Sequence, residues 1–377
     1  IRYQPRSRGL GDVYKRQLKQ YDAEAAFAQS TGGGLRYLFG SMADDYTNFI
    51  TLFTEFPFCL TDHTGDAYSF SQVFCILPTL LVLLAGLVVK VGQLLNLKNR
   101  MYYFLFGMTL TAAYPFLRMS AVLAQPDWFG LIFAFAILLL TLDFRFDTLE
   151  PARFGLIFLA TAAIILARRW FLYFVVGYYF AYVLLLVAGC VRLAKGGAVS
   201  AALRRGKNLI LFGLASVAAM VILLWPMVSH ILTYNYAGRY SYYNGGGLAL
   251  EAFYHLGRLG LFNLILIALG LVFAAKRKLP ALPCLAGCEL VVSLLLFTRV
   301  QNTGSHQFLL FLPGYFLLFL LGAAALAEGI QRRRTLKLGC WAFVLMLSMS
   351  VRCSPLTTLA MPCLLYTSDA ADEEDSV

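Results

Sequence analysis

The chain has 377 residues, of which 60% are hydrophobic and 14% are charged, and its formal net charge is +11. In a soluble protein such a basic balance would indicate nucleic-acid binding, but here the apolar residues come in long runs, which are typical of membrane spans. The excess of lysine and arginine therefore predicts membrane topology, and we expect no nucleic-acid partner.

Both ends of the chain resemble translated sequencing-adapter DNA. The stretch "SRGLGDVYKRQ" precedes Leu18, and "CLLYTSDAADE" lies near the other end. Because of this resemblance we expect residues 1–17 and 363–377 to be foreign. Stretches of this kind are excluded before a fold is argued. The natural sequence is then expected within 18–362, with 353–362 as a truncated remainder and with a further hydrophobic helix upstream.

The chain from residue 18 to residue 72 is polar and contains several acidic residues, and we expect an extracytoplasmic loop segment there. Beyond it, apolar segments follow one another, most of them close to the roughly 17–25 residues that a bilayer core requires. The predicted fold class is all-α, a polytopic integral membrane protein whose transmembrane domain covers 73–352. About ten spans are predicted, near 73–95, 102–117, 128–143, 154–168, 170–191, 208–228, 259–275, 281–298, 308–327 and 336–352.

Positive charge recurs in every second connection between these segments. Since lysine and arginine favour cytoplasmic loops, this alternation places the polar segment before the first span on the outside. An opposite connection, "TYNYAGRYSYYNGGG", is instead rich in Tyr, Asn and Gly. We predict a multi-pass protein of the cytoplasmic membrane whose cytoplasmic connections are 96–100, 144–153, 192–207, 276–280 and 331–337.

The outer connection "FLRMSAVLAQPDWFG" contributes Arg118 and Asp127. Pro126 places Asp127 on the first turn of the following helix, where a carboxylate interacts favourably with the helix dipole. Charged groups at membrane depth are costly and often mark function, so Asp127 is also a candidate catalytic group. Capping and catalysis are compatible, and both interpretations stay open.

The next outer turn, "LARRWFLYF", holds Arg168 and Arg169 beside Trp170. Arginine presents a planar fork of donors that suits phosphate, and paired arginines on the outer side break the positive-inside pattern. The alternative is an interfacial anchor of snorkelling arginines and a belt aromatic. In the tyrosine-rich connection, Arg239 can line an entrance to a site or belong to a solvated loop.

The last outer turn, "FTRVQNTGSHQFLLFLP", supplies Arg299, Gln301 and His306. Such a set of polar groups before a span can bind a substrate, although a lone histidine at an interface is more often structural. We expect the cysteines to be packing residues, because no histidine or carboxylate pattern completes a metal site. Nucleotide-binding and hydrolase motifs are absent from the sequence.

Acidic residues before the first span are candidates for a general base. They are Asp22 and Glu24 in "QYDAEAAFAQ", and Asp44 beside Asp45 in "MADDYTNF". A carboxylate can take a proton from an incoming hydroxyl when it lies within hydrogen-bond reach. The alternative for each pair is a solvated acidic surface.

Four stretches together resemble the polytopic membrane glycosyltransferases of the GT-C type, which include family 39 and protein mannosyltransferase-like bacterial enzymes. They are "DDYTNFITLFTEFPFCLTDHTGDAYSFSQVF", "FLRMSAVLAQPDWFGLIFAFAILLL", "ARRWFLYFVVGYYFAY" and "RVQNTGSHQFLLFLP". The resemblance implies that a sugar passes from a polyprenyl-phosphate-linked donor to a cell-envelope acceptor on the outer side of the membrane. It also implies that an acid in the first outer loop, here Asp22 or Glu24, acts as base. Cationic side chains, here Arg118, Arg169 and His306, would then hold the lipid phosphate.

A divalent metal is compatible with that chemistry, but the sequence requires none. The expected partners are a polyprenyl-phosphate sugar lipid and membrane lipids, and the oligomeric state stays open. Two other functions also stay open. One is a membrane transporter or lipid flippase of envelope biosynthesis, which should show internal repeats and broken helices. The other is a structural or assembly protein without chemistry.

Overall fold

A computed structural model describes residues 8–44, 47–61, 65–122, 126–240, 247–304 and 307–330. Within these residues the chain is all-helical and contains no strand, which confirms the all-α part of the predicted fold class. The α-helices are α1 (Arg8–Gln29), α2 (Thr31–Gly40), α3 (Thr51–Cys59), α4 (Gly65–Leu94), α5 (Arg100–Ala112), α6 (Pro115–Val122), α7 (Phe129–Thr141), α8 (Pro151–Ala167), α9 (Leu172–Lys195), α10 (Val199–Leu223), α11 (Trp225–Thr233), α12 (Tyr236–Arg239), α13 (Gly247–Lys276), α14 (Ala281–Phe297) and α15 (Leu312–Ile330). Short 3-10 helices precede or follow several of them, at Ser41–Ala43, Asn48–Ile50, Pro126–Trp128, Arg169–Phe171 and Gln307–Phe311.

Five helical segments are long and apolar enough to cross a bilayer: Ala67–Leu94, Arg169–Lys195, Val199–Leu223, Gly247–Lys276 and Gln307–Gly329. Three shorter apolar helices, α7, α8 and α14, coincide with further predicted spans. The chain therefore has the helices of a multi-pass membrane protein, whereas the predicted count of ten spans is not confirmed. The predicted span at 336–352 lies outside the described residues.

Several predicted boundaries differ from the structure. The span expected at 208–228 is divided, because α10 ends at Leu223 and α11 begins at Trp225. The span expected at 102–117 is divided, because α5 ends at Ala112 and α6 begins at Pro115. Proline lacks an amide N–H and clashes with the preceding turn, so one continuous helix does not pass through it. The loop expected at 192–207 is also wrong, since α9 and α10 leave only residues 196–198 between them.

The segment 18–72, expected as a loop, is mostly helical and packs onto the rest of the chain. Inside it, α1 and α3 are joined by a buried hydrogen bond in which Thr54 Oγ1 donates to Gln20 Oε1 at 2.9 Å. The hydroxyl of Thr47 donates to the carbonyl of Leu166 at the end of α8. The segment is therefore anchored to the helical bundle by polar contacts.

α15 forms the centre of the bundle. In the most apolar stretch of the segment that contains α15, 89% of the residues are buried, whereas in the corresponding stretch of α10 only 6% are buried. α15 packs against α13, α5, α14 and α4, whereas α10 presents exposed aliphatic side chains such as Ile210, Leu214 and Val217. A continuous aliphatic surface of this kind suits lipid acyl chains.

α13 and α15 cross at a pair of glycines. A Cβ atom at Gly270 would lie 2.6 Å from the backbone nitrogen of Gly322, and one at Gly322 would lie 2.5 Å from the carbonyl oxygen of Leu266. Small residues let two helix backbones approach closely, which favours packing where lipid removes the hydrophobic drive between helices. The position of α13 on the central helix therefore depends on these two glycines.

The connections between helices lie at two ends of the bundle, as contacts between the helix termini show. At one end Lys90 and Arg153 both pair with Asp143, each at 2.5 Å, and Arg205 pairs with Asp147 at 2.6 Å. Although partial burial alone would raise the pKa of Asp143, its contacts with these two cations lower it. We call this the basic end; it comprises residues 95–99, 142–150, 196–198 and 277–280.

The helices α13 and α15 also terminate at the basic end. Arg277 donates to both carboxylate oxygens of Glu328, and Asn99 Nδ2 donates to Ala327 O at 3.5 Å. The opposite end, which we call the polar end, comprises the turns around Asp127, Arg168 and Thr303. That the basic end faces the cytoplasm stays a prediction.

α13 is interrupted at Gly260, whose backbone has φ 71° and ψ 159°. Glycine adopts such a conformation far more readily than residues with a side chain. The interruption frees carbonyl groups, and side chains bind them: Asn263 Nδ2 donates to Leu259 O at 2.7 Å, and Tyr114 Oη donates to Arg258 O at 3.1 Å. Backbone groups at membrane depth need partners of this kind, so the break is accommodated by the fold.

We expect Gly270→Ala to destabilise the protein by about 1–3 kcal/mol, because the added methyl group meets the backbone of α15. Gly213→Ala on α10 is the matched control, since a Cβ atom there meets nothing within 4 Å. Alanine is the better helix former, so the control should be neutral or slightly stabilising. Thermal unfolding of the detergent-purified variants measures the difference, and equal Tm values would contradict the close crossing.

Candidate functional site

The polar end holds most of the fully buried charged side chains of the described residues. They form two groups. The arginine-pair cluster is Asp127, Arg168 and Arg169, and the α13 cluster is Glu251, His255 and Arg258. Charged groups inside an apolar bundle are costly unless paired, and in membrane proteins they often mark function.

In the arginine-pair cluster, Asp127 and Arg168 form a buried ion pair. Asp127 lies in the 3-10 helix Pro126–Trp128, directly before α7, as the sequence predicts. Arg168 is the first residue after α8 and has an extended backbone, and its Nε donates to Asp127 Oδ1. The side chain of Asp127 is 2% exposed and that of Arg168 is 7% exposed. Asp127 therefore does more than interact with a helix terminus, because it neutralises a guanidinium inside the bundle.

Arg169 connects three parts of the chain. Its Nη1 donates to Tyr236 Oη at 2.8 Å, which reaches the tyrosine-rich connection. Its Nη2 donates to Met42 O at 3.1 Å and also to Asp44 O, both in the segment before the first span. Arg169 is 7% exposed, so the alternative of a snorkelling interfacial anchor does not describe it.

The predicted acids do not all reach this cluster. Asp22 is exposed on α1, and Glu24 lies half-buried on another face of that helix. Asp44 contributes its backbone carbonyl to Arg169 while its side chain is exposed. Asp127 is thus the predicted acid whose carboxylate the structure places in the polar interior, and Asp45 lies outside the described residues.

The remaining predicted binding residues are spread over the polar end. Arg118 on α6 and Arg299 after α14 are exposed, and Gln301 is half-buried in the following turn. Arg239 ends α12, but its side chain lies outside the described part of the structure. His306 also lies outside the described residues. Of the predicted binding set, the structure therefore brings Arg168 and Arg169 together with Asp127.

Glu24 belongs to a separate group between α1 and α3. Ligand atoms of Glu24, Glu55 and Cys59 all lie within 4.8 Å of one another, and Cys59 Sγ donates to Glu55 Oε1 at 3.3 Å. Cys59 is exposed, but partial loss of hydration around its thiol first, and then the adjacent carboxylates of Glu55 and Glu24, raise the pKa of that thiol to about 12. A metal would have to displace that tightly held proton, so this group is a poor ready-made cation site.

The α13 cluster was not singled out from the sequence. Glu251, His255 and Arg258 recur at intervals of four and three residues, which places them on one face of a helix. They lie just before the predicted span at 259–275, in a stretch for which the sequence analysis predicts no element. Their exposed fractions are 0%, 4% and 2%. The helical spacing of three ionisable residues was the signal that could have identified them.

Glu251 and Arg258 bind the backbone of the turn between α14 and α15. Glu251 Oε1 accepts a hydrogen bond from the backbone N–H of Thr303 at 2.9 Å, and Arg258 Nη2 donates to the carbonyl of the same residue. His255 Nδ1 lies 2.8 Å from Tyr315 Oη, and its Nε2 lies 3.4 Å from Thr303 Oγ1. The cluster therefore fixes one turn against the first half of α13.

These contacts leave hydrogen-bonding capacity inside the cluster. Among the described residues, Arg258 Nε and Nη1 and Glu251 Oε2 have no hydrogen-bond partner, although all three atoms are buried. The guanidinium of Arg258 lies 5.4 Å from the ring centroid of Phe308, so one side of it is apolar. Buried N–H donors of a guanidinium are suited to an anion, and a free carboxylate oxygen is suited to a hydroxyl donor.

The 3-10 helix Gln307–Phe311 joins the two clusters. The ring of Phe308 lies 5.0 Å from that of His255 between centroids, next to the guanidinium of Arg258. The same turn contacts both 3-10 helices of the arginine-pair cluster. Both clusters therefore adjoin this turn at the polar end.

A scan against protein-family models and searches of curated proteins and of solved structures find no match to this chain. The resemblance stated from the sequence therefore stays a proposal. Any functional argument has to start from the buried cations and carboxylates of the polar end and from what they can bind.

We expect Asp127→Ala to destabilise the protein by about 3–5 kcal/mol, because it leaves the guanidinium of Arg168 buried without this carboxylate. The double variant Asp127→Ala/Arg168→Ala should cost less than the sum of the single changes, with a coupling of about 0.5–3 kcal/mol. Chemical unfolding of the purified variants measures these values. Arg36→Ala, an exposed change on α2, serves as the control. Strict additivity would show that the two side chains do not interact.

The thiol of Cys59 should react slowly with a maleimide at pH 8, because its pKa of about 12 keeps it protonated. Glu55→Gln removes the adjacent negative charge, which lowers this pKa and raises the thiolate fraction, so alkylation should accelerate by about tenfold for each unit of pKa. Asp22→Asn on the exposed face of α1 is the control and should leave the rate unchanged. An unchanged rate in Glu55→Gln would disprove this assignment of the cause.

Proposed function

We propose that the protein is a membrane glycosyltransferase, which moves a sugar from a polyprenyl-phosphate-linked donor to a cell-envelope acceptor on the outer side of the membrane. The observation that carries the proposal is the guanidinium of Arg258. It is buried, two of its donor nitrogens have no partner among the described residues, and it lies at the same end as Arg168 and Arg169. A lipid phosphate is an anion that can reach such a site from the bilayer.

The chemistry of the proposed reaction explains why buried cations are useful there. The leaving group is a phosphate, whose negative charge grows as the bond to the sugar breaks. Donors that are already in place and shielded from water stabilise that charge far more than solvent-exposed donors do. In this proposal Arg258 binds the leaving phosphate, and Arg169 adds positive charge to the same region.

The acceptor hydroxyl needs a base. Glu251 Oε2 is a buried carboxylate oxygen without a hydrogen-bond partner among the described residues, so it can accept a proton from a hydroxyl that enters the α13 cluster. Asp127 is the alternative base within the bundle, although Arg168 already binds one of its oxygens. Asp22 and Glu24, which the family resemblance suggests, stay proposals for the same role.

The proposed orientation follows the distribution of charge. The basic end would face the cytoplasm, since lysine and arginine favour that side, and the polar end would face outside with both clusters. The full count of ten spans, which includes 336–352, belongs to the same proposal. The partners would be the polyprenyl-phosphate sugar lipid and the surrounding membrane lipids.

A second candidate function is a membrane transporter or lipid flippase. The observation that favours it is the break in α13 at Gly260, directly after the ionisable residues of the α13 cluster. Interrupted helices near the middle of the membrane often form the binding sites of transporters. A transporter would carry its substrate across the bilayer without changing it, which separates the two candidates by experiment.

The test is transfer of radiolabelled sugar from a panel of polyprenyl-phosphate donors by protein reconstituted in liposomes. We expect transfer by the wild type and a loss of about 100-fold or more in Arg258→Lys, because lysine cannot reproduce the directed guanidinium donors. Arg204→Lys, an exposed change near the basic end, is the matched control and should retain transfer.

Thermal unfolding of both variants shows whether each one is folded. Full transfer by a folded Arg258→Lys variant would remove Arg258 from the site. If the wild type transfers no sugar but moves a lipid-linked donor across the liposome membrane, the transporter is the correct function.

A further inference from the structure

Glu289 is a buried carboxyl group that neither cluster uses. It lies in the middle of α14 and is 1% exposed. Two glycines on neighbouring helices make room for it and for the turn that follows. A Cβ atom at Gly314 of α15 would lie 2.0 Å from Glu289 Oε2, and one at Gly177 of α9 would lie 2.5 Å from Ser293 Oγ. The packing of three helices is therefore arranged around this side chain.

The described residues around Glu289 include no cation that would balance a negative charge. Among the described residues, no lysine, arginine or histidine lies within 4 Å of its carboxyl oxygens, and Oε2 has no hydrogen-bond partner. The titratable side chains that interact with it are Tyr178 on α9, Tyr315 on α15 and Cys288 beside it, all neutral when protonated. An uncompensated carboxylate in an apolar bundle would be very costly.

The hydrogen bonds around Ser293 indicate how this cost is avoided. Ser293 Oγ lies 2.9 Å from Glu289 Oε1 and 3.1 Å from the carbonyl oxygen of Tyr173. A serine hydroxyl has one proton to donate, and an ionised carboxylate and a carbonyl are both acceptors only. One of the two short contacts would then lack a proton. A neutral carboxylic acid removes the conflict, because its O–H donates to Ser293 Oγ while Ser293 donates to Tyr173 O.

Glu251 provides a contrast within the same protein. Its Oε1 accepts a hydrogen bond from the backbone N–H of Thr303, and His255 Nε2 lies 3.6 Å from the same oxygen. These are donors and a potential cation, which suit a carboxylate. The two buried glutamates therefore have opposite hydrogen-bonding environments.

We infer that Glu289 is a proton-binding site inside the membrane domain, in which a neutral carboxylic acid donates to Ser293 and is enclosed by α9, α14 and α15. The ligand of this site is a proton. The inference goes beyond the proposed glycosyltransferase and does not depend on it. A bound proton at this depth lets the three helices pack against each other without a buried charge.

Infrared spectroscopy tests this inference directly, because a protonated carboxylic acid has a C=O stretching band above the amide region and a carboxylate does not. We expect the wild-type protein, reconstituted in lipid at neutral pH, to show an acid band that is lost in Glu289→Gln. The matched variant Glu251→Gln should retain the band. Ser293→Ala should shift it to higher frequency, since the acid O–H then loses its acceptor.

Glu289→Gln preserves the size of the side chain, and its amide can donate to Ser293, so we expect this variant to fold. If the acid band is unchanged in Glu289→Gln, or if that change instead removes a carboxylate band, the inference is wrong. The position of the band in Ser293→Ala provides a second criterion in a protein that keeps Glu289. An unshifted band there would contradict the proposed hydrogen bond.

Discussion

A charged side chain inside an apolar bundle has to find its partners within the protein, and this constraint organises the polar end. The guanidinium of Arg168 is bound by Asp127, and that of Arg169 holds the segment before the first span and the tyrosine-rich connection. On α13, Glu251 and Arg258 bind both backbone groups of a single turn residue. Because water is scarce at this depth, these contacts determine how the turns between helices are placed.

The central helix explains why the two clusters come close together. α15 is almost entirely buried, so helices from distant parts of the chain pack around it. The turn Gln307–Phe311 leads into α15 and contacts both clusters. The glycine crossing keeps α13 close to the C-terminal half of α15. The interruption at Gly260 separates this tightly packed half of α13 from the half that carries the ionisable residues. Packing and chemistry are thus divided between two parts of one helix.

Much of the architecture follows from local sequence patterns. The long apolar runs predict helices, and the structure contains a helix at each predicted span within the described residues, although the spans expected at 102–117 and 208–228 are each divided between two helices. Proline also predicts correctly that Asp127 begins a helix. These features depend on residues close together in the chain, which is why composition and spacing are enough to find them.

The candidate site depends on contacts between distant residues, and the sequence predicts it only in part. Arg168 and Asp127 were separate candidates, and their pairing across 41 residues is visible only in the structure. Asp22 and Glu24 are close in sequence but lie on different faces of α1, so they cannot act as one acidic group. The α13 cluster was not predicted because its residues lie between the apolar runs, outside every predicted span, so their helical spacing was not tested.

The account depends most on the claim that the polar end and the basic end lie on opposite sides of a membrane. Single cysteines at Arg118 and Arg299, and at Lys195 and Lys276, sample exposed positions at the two ends in a cysteine-free background. A membrane-impermeant maleimide applied to intact cells that express the protein should label the first pair, and it should label the second pair only after the cells are permeabilised. Labelling of both pairs from the same side would contradict the arrangement of spans on which the site and its proposed function depend.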